Sequence, residues 1–166
     1  MKFNYQGFKA IYLHEMDRFR RTLLQSLISP VLSTSLYFIV FGSVIGGYVE
    51  NIDGISYGSY IVPGLLMLTL LTQSISNTSF GIFFPKFNGT IYEILAAPIS
   101  TFETVLAFVG AGATKTLIVG VVIFFTSMFF VEVYVEKPLL MICLLILVAF
   151  TFALFGFLIG LMSSNF

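Results

Sequence analysis

Hydrophobic stretches long enough to cross a bilayer alternate with short polar segments along this chain. About 20 residues at roughly 1.5 Å each cover the hydrocarbon layer, and four stretches reach this length with almost no charge. The predicted spans are residues 27–48, 59–84, 102–130 and 138–161. Backbone polar groups inside a membrane must bond within their own segment, so the pattern predicts an all-α, polytopic helical membrane protein.

Residues 5–22 differ from the spans because they mix charged and apolar side chains at helical spacing. Glu15 interrupts an otherwise apolar face. That face comprises Phe8, Ile11, Tyr12, Met16, Phe19 and Leu23. The pattern is typical of an amphipathic helix that lies in the membrane interface. The segment is too long and too charged to begin a signal peptide, so we expect it to remain on the mature protein.

A second short helix is predicted between the second and third spans, at residues 88–97. Pro85 follows the apolar run, Asn88 can cap a new helix, and Pro98 ends it. Residues 100–103 read Ser-Thr-Phe-Glu, which has the S-x-x-E form of a capping box, so the third span is expected to begin there.

The apolar residues of this short helix recur at helical spacing. Ile91 and Leu95 are one turn apart on one face, and Glu93 points elsewhere. The helix therefore offers an apolar face flanked by one negative charge. A helix resting on lipid would need only the apolar face, whereas a helix seated in a protein groove would depend on both.

Composition supports a membrane protein independently of the pattern. Apolar residues make up 58% of the chain, charged residues 10%, and the mean hydropathy is +1.01. A soluble domain has about a quarter of its residues charged. The formal net charge is zero, which gives no case for nucleic-acid binding. Cys143 is the chain's one cysteine, so neither a disulfide framework nor a paired-cysteine metal site is expected.

The basic residues predict the orientation of the spans, because Lys and Arg resist translocation. An N-terminus in the cytoplasm leaves only Lys137 outside and Lys115 within a span. The cytoplasmic basic residues are then Lys2, Lys9, Arg18, Arg20, Arg21 and Lys86. Both termini of the chain and residues 88–97 are therefore expected on the cytoplasmic side of the membrane.

Specific sequence motifs accompany this arrangement of a span, a short helix and a second span. The chain reads YIVPGL at residues 60–65 and KFNGTIYEILAAPIS at residues 86–100, with Asn77 and Ser79 between them. In these motifs the chain resembles the family of type-2 ABC transporter permeases, the membrane subunits of ATP-driven exporters. The resemblance extends over essentially all 166 residues.

The resemblance implies partners and a role for each polar segment. Residues 5–22 correspond to the family's connecting helix at the cytoplasmic surface. Residues 88–97 correspond to the coupling helix, on which a separate ATP-binding subunit docks. The coupling contacts carried over are Asn88, Ile91, Tyr92, Glu93 and Leu95. Two permeases are expected to pair in the bilayer as a homodimer. The family exports polysaccharides, lipid-linked glycans or drugs, and this chain does not show which.

The family has six spans and this chain has four predicted spans. The expectation is therefore a partial permease that lacks the last two spans and matches the N-terminal two-thirds of the family pattern.

Nothing in the sequence predicts ATP hydrolysis or a bound cofactor. Residues 110–116 read GAGATKT, but Thr114 precedes Lys115 where a phosphate-binding loop requires glycine, and the context is a span. Energy for transport is therefore expected from a partner subunit that binds ATP. A polytopic membrane enzyme is an alternative, but its carboxylate candidates lie in loops and read more simply as solvated charges: Glu50, Asp53, Glu132 and Glu136. A membrane scaffold is a third possibility.

Small residues recur every four positions in two spans, which lets helices approach closely. The predicted packing positions are Gly112, Thr116, Gly120, Gly156 and Gly160. Gly112 and Gly120 are expected to contribute to pairing between two copies. Lys115 is costly inside a span, and two roles stay open for it: a structural role facing the bundle, or a role in the transport pathway.

Overall fold

The computed structural model describes residues 3–45, 51–52 and 54–163. Its elements are α1 (Tyr5–Arg21), α2 (Leu23–Tyr37), a π-helical continuation of α2 (Phe38–Ile45), β1 (Asn51–Ile52), β2 (Ile55–Ser56), α3 (Tyr57–Phe87), α4 (Ile91–Ala96), α5 (Thr101–Ser127) and α6 (Pro138–Met162). In this part of the chain, four helical segments are long and apolar enough to cross a membrane: Leu23–Phe41, α3, α5 and α6. The prediction of an all-α polytopic membrane protein is confirmed.

Several helix ends differ from the predicted ones. The first span begins at Leu23, so Pro30 lies in the interior of α2 and not in its first turn. Its predicted end at residues 46–48 lies outside the described residues. Pro85 does not end the second span. A proline removes one backbone donor, but α3 continues through it as far as Phe87. α5 ends at Ser127, three residues before the predicted end.

α5 is the central helix of the bundle. Its membrane-spanning window is 61% buried, compared with 17 to 28% for the other three spans. It packs against α1, α2, α3 and α6. A position on α5 can therefore contact every other long helix of the described chain, which explains why a charged residue there finds a partner.

α3 buries one residue in every four along nearly its whole length. The buried positions in this stripe are Gly58, Val62, Leu66, Leu70, Ser74, Thr78 and Ile82. A spacing of four keeps these residues in one narrow row, and rows of this kind pack into the grooves of neighbouring helices. The Ser74 hydroxyl donates to the Ala149 carbonyl at 2.6 Å, so one polar group of the row also joins α3 to α6.

Small residues allow α6 and α5 to approach α3 closely. A Cβ atom placed on Gly156 would lie 2.5 Å from the Ile75 carbonyl oxygen, and one on Gly160 would lie 2.6 Å from the Ser79 carbonyl oxygen. At these two glycines α6 touches the backbone of α3 directly. Such backbone contact is what small residues at helix crossings in membranes provide.

Contacts between distant segments define the two ends of the bundle. At one end the Ser59 hydroxyl donates to the Glu132 carbonyl at 2.8 Å, which joins the β1–β2 hairpin region to the α5–α6 connection. At the other end the Lys86 ammonium donates to the carbonyls of Leu161 and Ser163, both at 2.8 Å. α4 and the last described residues of α6 therefore share one end of the bundle, and that this end is cytoplasmic stays a prediction.

α1 lies lengthwise along the first half of α5. The contacts advance in step along both helices, from Asn4 at Glu103, to the Tyr12 hydroxyl donating to Thr114 at 3.0 Å, to Glu15 at Lys115. This parallel packing extends over about 12 residues, or roughly 18 Å of helix. The buried positions of α1 are Ile11, Glu15 and Phe19. Glu15 thus lies in the centre of the buried face. That α1 also lies in the membrane interface stays a prediction.

Candidate functional site

The turn between α3 and α4 is made by Asn88, Gly89 and Thr90. Asn88 closes α3, because its amide donates to the Phe84 carbonyl at 3.1 Å. Gly89 then adopts a positive φ of 77°, a conformation that side chains other than glycine rarely take. α4 begins only after Thr90. The prediction that Asn88 caps this helix is wrong, because the chain needs the glycine turn before a new helix can start.

α4 presents Tyr92, Glu93 and Leu95 to the outside. Tyr92 is 73% exposed and Leu95 is 71% exposed. Ile91 and Ile94 instead pack against the buried core of the chain. The predicted pairing of Ile91 with Leu95 on one exposed face is therefore wrong. In a helix of six residues, the two isoleucines three positions apart take the inward face.

The exit of α4 is fastened to the starts of α1 and α5. The predicted capping box is confirmed, since Ser100 accepts from the Glu103 amide and Glu103 Oε2 accepts from the Ser100 amide at 2.8 Å. Glu103 Oε1 also accepts from the Asn4 backbone amide at 2.6 Å. The Asn4 side chain donates to the Pro98 carbonyl at 3.0 Å and accepts from the Gly7 amide at 3.1 Å.

These bonds fasten the start of α1 to the connection between α4 and α5, which lies 94 to 99 positions further along the chain. Asn4 caps α1 and at the same time contacts the segment that leaves α4, while Glu103 joins α1 to α5. Hydrogen bonds to a charged carboxylate are stronger than bonds between neutral groups. The exit of α4 is therefore attached to both α1 and α5.

A buried ion pair joins α1 to α5 further along the two helices. Lys115 Nζ lies 2.7 Å from Glu15 Oε2, and the two side chains are 4% and 2% exposed. Arg18 contacts the same Glu15 oxygen at 2.8 Å and is 31% exposed. Of the two roles predicted for Lys115, the structural one has a partner in Glu15, and the lysine faces the bundle. Whether it also serves a transport pathway stays a prediction.

The third side of this ion cluster is formed by α3. A Cβ atom on Gly81 would lie 3.4 Å from Glu15 Oε2, so α3 passes close to the carboxylate. Two buried oxygen atoms, Glu15 Oε1 and Thr78 Oγ1, have no hydrogen-bond partner within the described chain. The cluster is therefore enclosed by three helices but is not fully saturated with hydrogen bonds.

A cavity of about 290 Å³ opens beside the ion cluster. Its basic groups are Arg18 and Lys115. Its neutral polar residues are Thr22, Ser26, Ser76 and Asn77, and its aromatic residues are Phe19, Phe80 and Phe84. The cavity therefore lies where the junction of α1 and α2 faces α3. In the described part of the chain, no group of three or more His, Cys, Asp or Glu side chains could hold a metal ion.

The predicted packing residues of α5 face the interior of the same chain. A Cβ atom on Gly112 would meet Thr78, and one on Gly120 would lie 2.8 Å from a terminal carbon of Leu70. Thr116 is buried and its hydroxyl donates to the Gly112 carbonyl at 2.9 Å. The expectation that Gly112 and Gly120 lie between two copies is therefore not supported, because α3 already covers them.

Comparison with known proteins decides the family. The family model described as "ABC-2 type transporter" matches residues 6–166. This chain belongs to the ABC-2 type transporter family. The four candidate membrane spans of the described chain agree with membership of this transporter family.

Curated relatives of the chain are named as transport permeases. Proteins named "Inner membrane transport permease YadH" from Escherichia coli K12, Escherichia coli O157:H7 and Shigella flexneri are each 37% identical to the chain over 158 residues. The match covers 95% of this chain, and the chain spans 62% of the length of these relatives. No solved structure matches the chain.

Sequence reasoning missed two residues of this site. Asn4 directly precedes α1 and has the ordinary signature of a helix cap, which could have been noticed. Glu15 interrupts an apolar face in the sequence, and a charge four residues from both Ile11 and Phe19 is a signal for a buried partner. That Lys115 is this partner requires knowledge of how α1 packs on α5.

Proposed function

We propose that this chain is the permease subunit of an ATP-binding-cassette exporter of the inner membrane. A separate ATP-binding subunit docks on α4 and supplies the energy. The permease works as a homodimer that alternates between two states, and its substrate is an amphiphile such as a lipid-linked glycan, a polysaccharide or a drug. No chemical step is assigned to the permease itself, which binds no cofactor.

The exposed surface of α4 is the observation that carries this proposal. Tyr92 and Leu95 are large apolar side chains with more than two-thirds of their surface exposed, and Glu93 lies between them. An exposed tyrosine such as Tyr92 is typical of the residues that dominate protein interfaces, and Leu95 adds apolar surface beside it. The inward isoleucines leave this surface free for a partner.

The attachment of α4 favours a coupling role over simple contact with lipid. A force applied to α4 reaches Pro98, then Asn4 on α1 and Glu103 on α5. The pair formed by Glu15 and Lys115 fastens α1 to α5 a second time, deeper in the bundle. α1 and α5 therefore move together when α4 is displaced, and a change at the ATPase can alter the arrangement of the spans.

Dimerisation is assigned to surfaces other than the glycines of α5. The windows of α2 and α6 are only 17% and 22% buried, so both helices keep broad apolar faces for a second copy or for lipid. These exposed apolar faces support the proposal of a homodimer in a bilayer.

We expect that Glu93→Lys and Leu95→Asp abolish recovery of the ATP-binding subunit in a pull-down and uncouple its ATPase activity from export. Burial of a leucine side chain contributes about 2 kcal/mol, and a partnered charge adds a comparable amount, so each change should weaken docking at least tenfold. The measurement compares co-purified ATPase and export rate at equal membrane levels of the full-length permease.

The matched control for this experiment is Glu136→Lys, which reverses an exposed charge at the opposite end of the bundle. It should leave docking unchanged. If Glu93→Lys and Leu95→Asp retain the ATPase and export normally, α4 is not the docking element and the coupling proposal fails.

The orientation of the spans has its own test. With Cys143 replaced by serine, we expect a cysteine at Asn88 to react only with membrane-permeant thiol reagents in intact cells, and a cysteine at Glu136 to react with impermeant ones. Both positions are exposed and lie at opposite ends of the bundle. Labelling of the Asn88 position from outside would reverse the proposed topology.

A further inference from the structure

The cavity beside the ion cluster is not used by the proposed coupling mechanism. It lies between the junction of α1 and α2 on one side and α3 on the other, and its volume of about 290 Å³ exceeds that of several water molecules. Contacts of α5 with α3 bring Lys115 to the depth of Ser76 and Asn77, so the cavity reaches into the membrane-spanning part of the bundle.

The ion cluster beside the cavity has more positive than negative charge. Arg18 and Lys115 both contact one oxygen of a single carboxylate, Glu15. With all three groups ionised, one positive charge is left without a counter-charge. A net charge at this depth is costly unless an opposite charge accompanies it. Both cations line the cavity, so a ligand there can supply the missing negative charge.

The two cations also have free hydrogen-bonding capacity. An ammonium group has three donors and a guanidinium group has five. In the described part of the chain, Lys115 and Arg18 each donate one hydrogen bond, and both bonds go to Glu15. Ser26 and Asn77 add neutral donors on the facing helices. This set of donors matches the several oxygen atoms of a phosphate group.

The remaining residues of the cavity favour an amphiphile. Phe80 and Phe84 are one helical turn apart on α3, with 60% and 54% of their surfaces exposed, and both line the cavity. Exposed phenylalanines on a membrane-spanning helix face the hydrocarbon of the bilayer. A ligand with a phosphate group beside the cations can therefore place an apolar chain along these two rings.

We propose that this cavity binds a phosphate-bearing anionic amphiphile, whose phosphate group contacts Arg18 and Lys115 and whose apolar part lies along Phe80 and Phe84. The inference adds a site and a phosphate group to the amphiphile named in the proposed function, and it does not rest on docking at α4. Its chemistry is that of a lipid headgroup or of free phosphate, and these two sources are distinguished by the experiment.

The test uses the full-length permease in nanodiscs of phosphatidylcholine, titrated with a photoactivatable phosphatidylglycerol. We expect crosslinks to residues 76–84, with half-saturation at about a tenfold lower mole fraction than for the matching phosphatidylcholine probe. Arg18→Gln should raise the mole fraction of phosphatidylglycerol probe at half-saturation about tenfold, because one charge-assisted bond is lost while Lys115 keeps its partner. Asn77→Leu, which leaves all charges in place, should raise it several-fold.

Arg20→Gln is the matched control, because it removes the same charge two residues away on the exposed side of α1. It should change half-saturation by less than twofold. Displacement of the probe by millimolar inorganic phosphate would identify free phosphate as a ligand of the same site, and resistance to it would identify the lipid. Equal effects of Arg18→Gln and Arg20→Gln, or equal binding of the two probes, would overturn the proposal. Glu93→Lys should leave lipid binding intact even where it abolishes ATPase docking.

Discussion

Exchanging the charges of Glu15 and Lys115 is expected to restore a permease that either single reversal destabilises strongly. Glu15→Lys brings three cations together at one buried point, and Lys115→Glu brings two carboxylates together. Breaking a buried pair in this way typically costs about 3–5 kcal/mol, because one charge is left buried without a partner. In the double variant a lysine on α1 again faces a glutamate on α5, with Arg18 beside them.

The measurement is the apparent unfolding temperature of the detergent-solubilised permease, followed by the loss of its monodisperse peak on size exclusion. Both single variants should unfold at clearly lower temperatures than the parent and accumulate less in membranes. The double variant should recover most of the difference. His14→Lys, which adds a charge on the exposed side of α1 next to Glu15, should have little effect. A double variant that is no more stable than the less stable of the two single variants would show that this pair does not hold α1 to α5.

The ion pair also shows where sequence reasoning stops. The cost of a lysine in a span predicts that Lys115 needs a partner, and Glu15 is visible as a charge on an apolar face. The pairing itself depends on the parallel packing of α1 along α5, and the two residues are 100 positions apart in the chain. The local sequence pattern of a segment does not indicate which other helix packs against it.

The spans were predictable because hydrophobic length is a local property with a large physical effect. Each of the four predicted spans corresponds to an observed helix, and the capping box at Ser100 and Glu103 was confirmed because its two residues bond to each other. The orientation of α4 was not predictable in the same way. Six residues make less than two turns, and which side faces inward is decided by the core at Ile82 and Phe108 and not by the spacing of Ile91 and Leu95.

Adding one methyl group at Gly156 is expected to disrupt the packing of α6 on α3. The Cβ atom of an alanine would lie 2.5 Å from the Ile75 carbonyl oxygen and 2.8 Å from its Cα atom. These are backbone atoms inside a helix, so relief requires the two helices to separate along their crossing. Overpacking of a closed interior costs about 1–3 kcal/mol, and the cost is expected at or above the upper end here because no side chain can rotate away.

Substitutions at the other glycines should form a graded series. In Gly120→Ala the new methyl group meets the end of the flexible Leu70 side chain, and in Gly112→Ala it meets the Thr78 side chain. The end of Leu70 and the Thr78 hydroxyl can rotate away, whereas Thr78 Cβ, 3.1 Å from the added atom on Gly112, cannot. Both variants should therefore lose less stability than Gly156→Ala, and Gly112→Ala should lose more than Gly120→Ala. Gly64 lies in α3 with nothing within 4 Å of its added Cβ. Alanine there should be neutral or stabilising by up to about 1 kcal/mol, because alanine favours a helix over glycine.

The order of apparent unfolding temperatures in detergent therefore tests the contact between α6 and α3. We expect the highest temperature for Gly64→Ala, intermediate temperatures for Gly112→Ala and Gly120→Ala, and the lowest for Gly156→Ala. Gly64→Ala is the matched control, since it makes the same chemical change within a membrane-spanning helix. If Gly156→Ala unfolds at the same temperature as Gly64→Ala, α6 does not lie against the α3 backbone. If Gly112→Ala and Gly120→Ala lose dimers at unchanged protomer stability, then α5 and not α2 or α6 forms the contact between copies, and the packing of α5 against α3 would have to be reassigned.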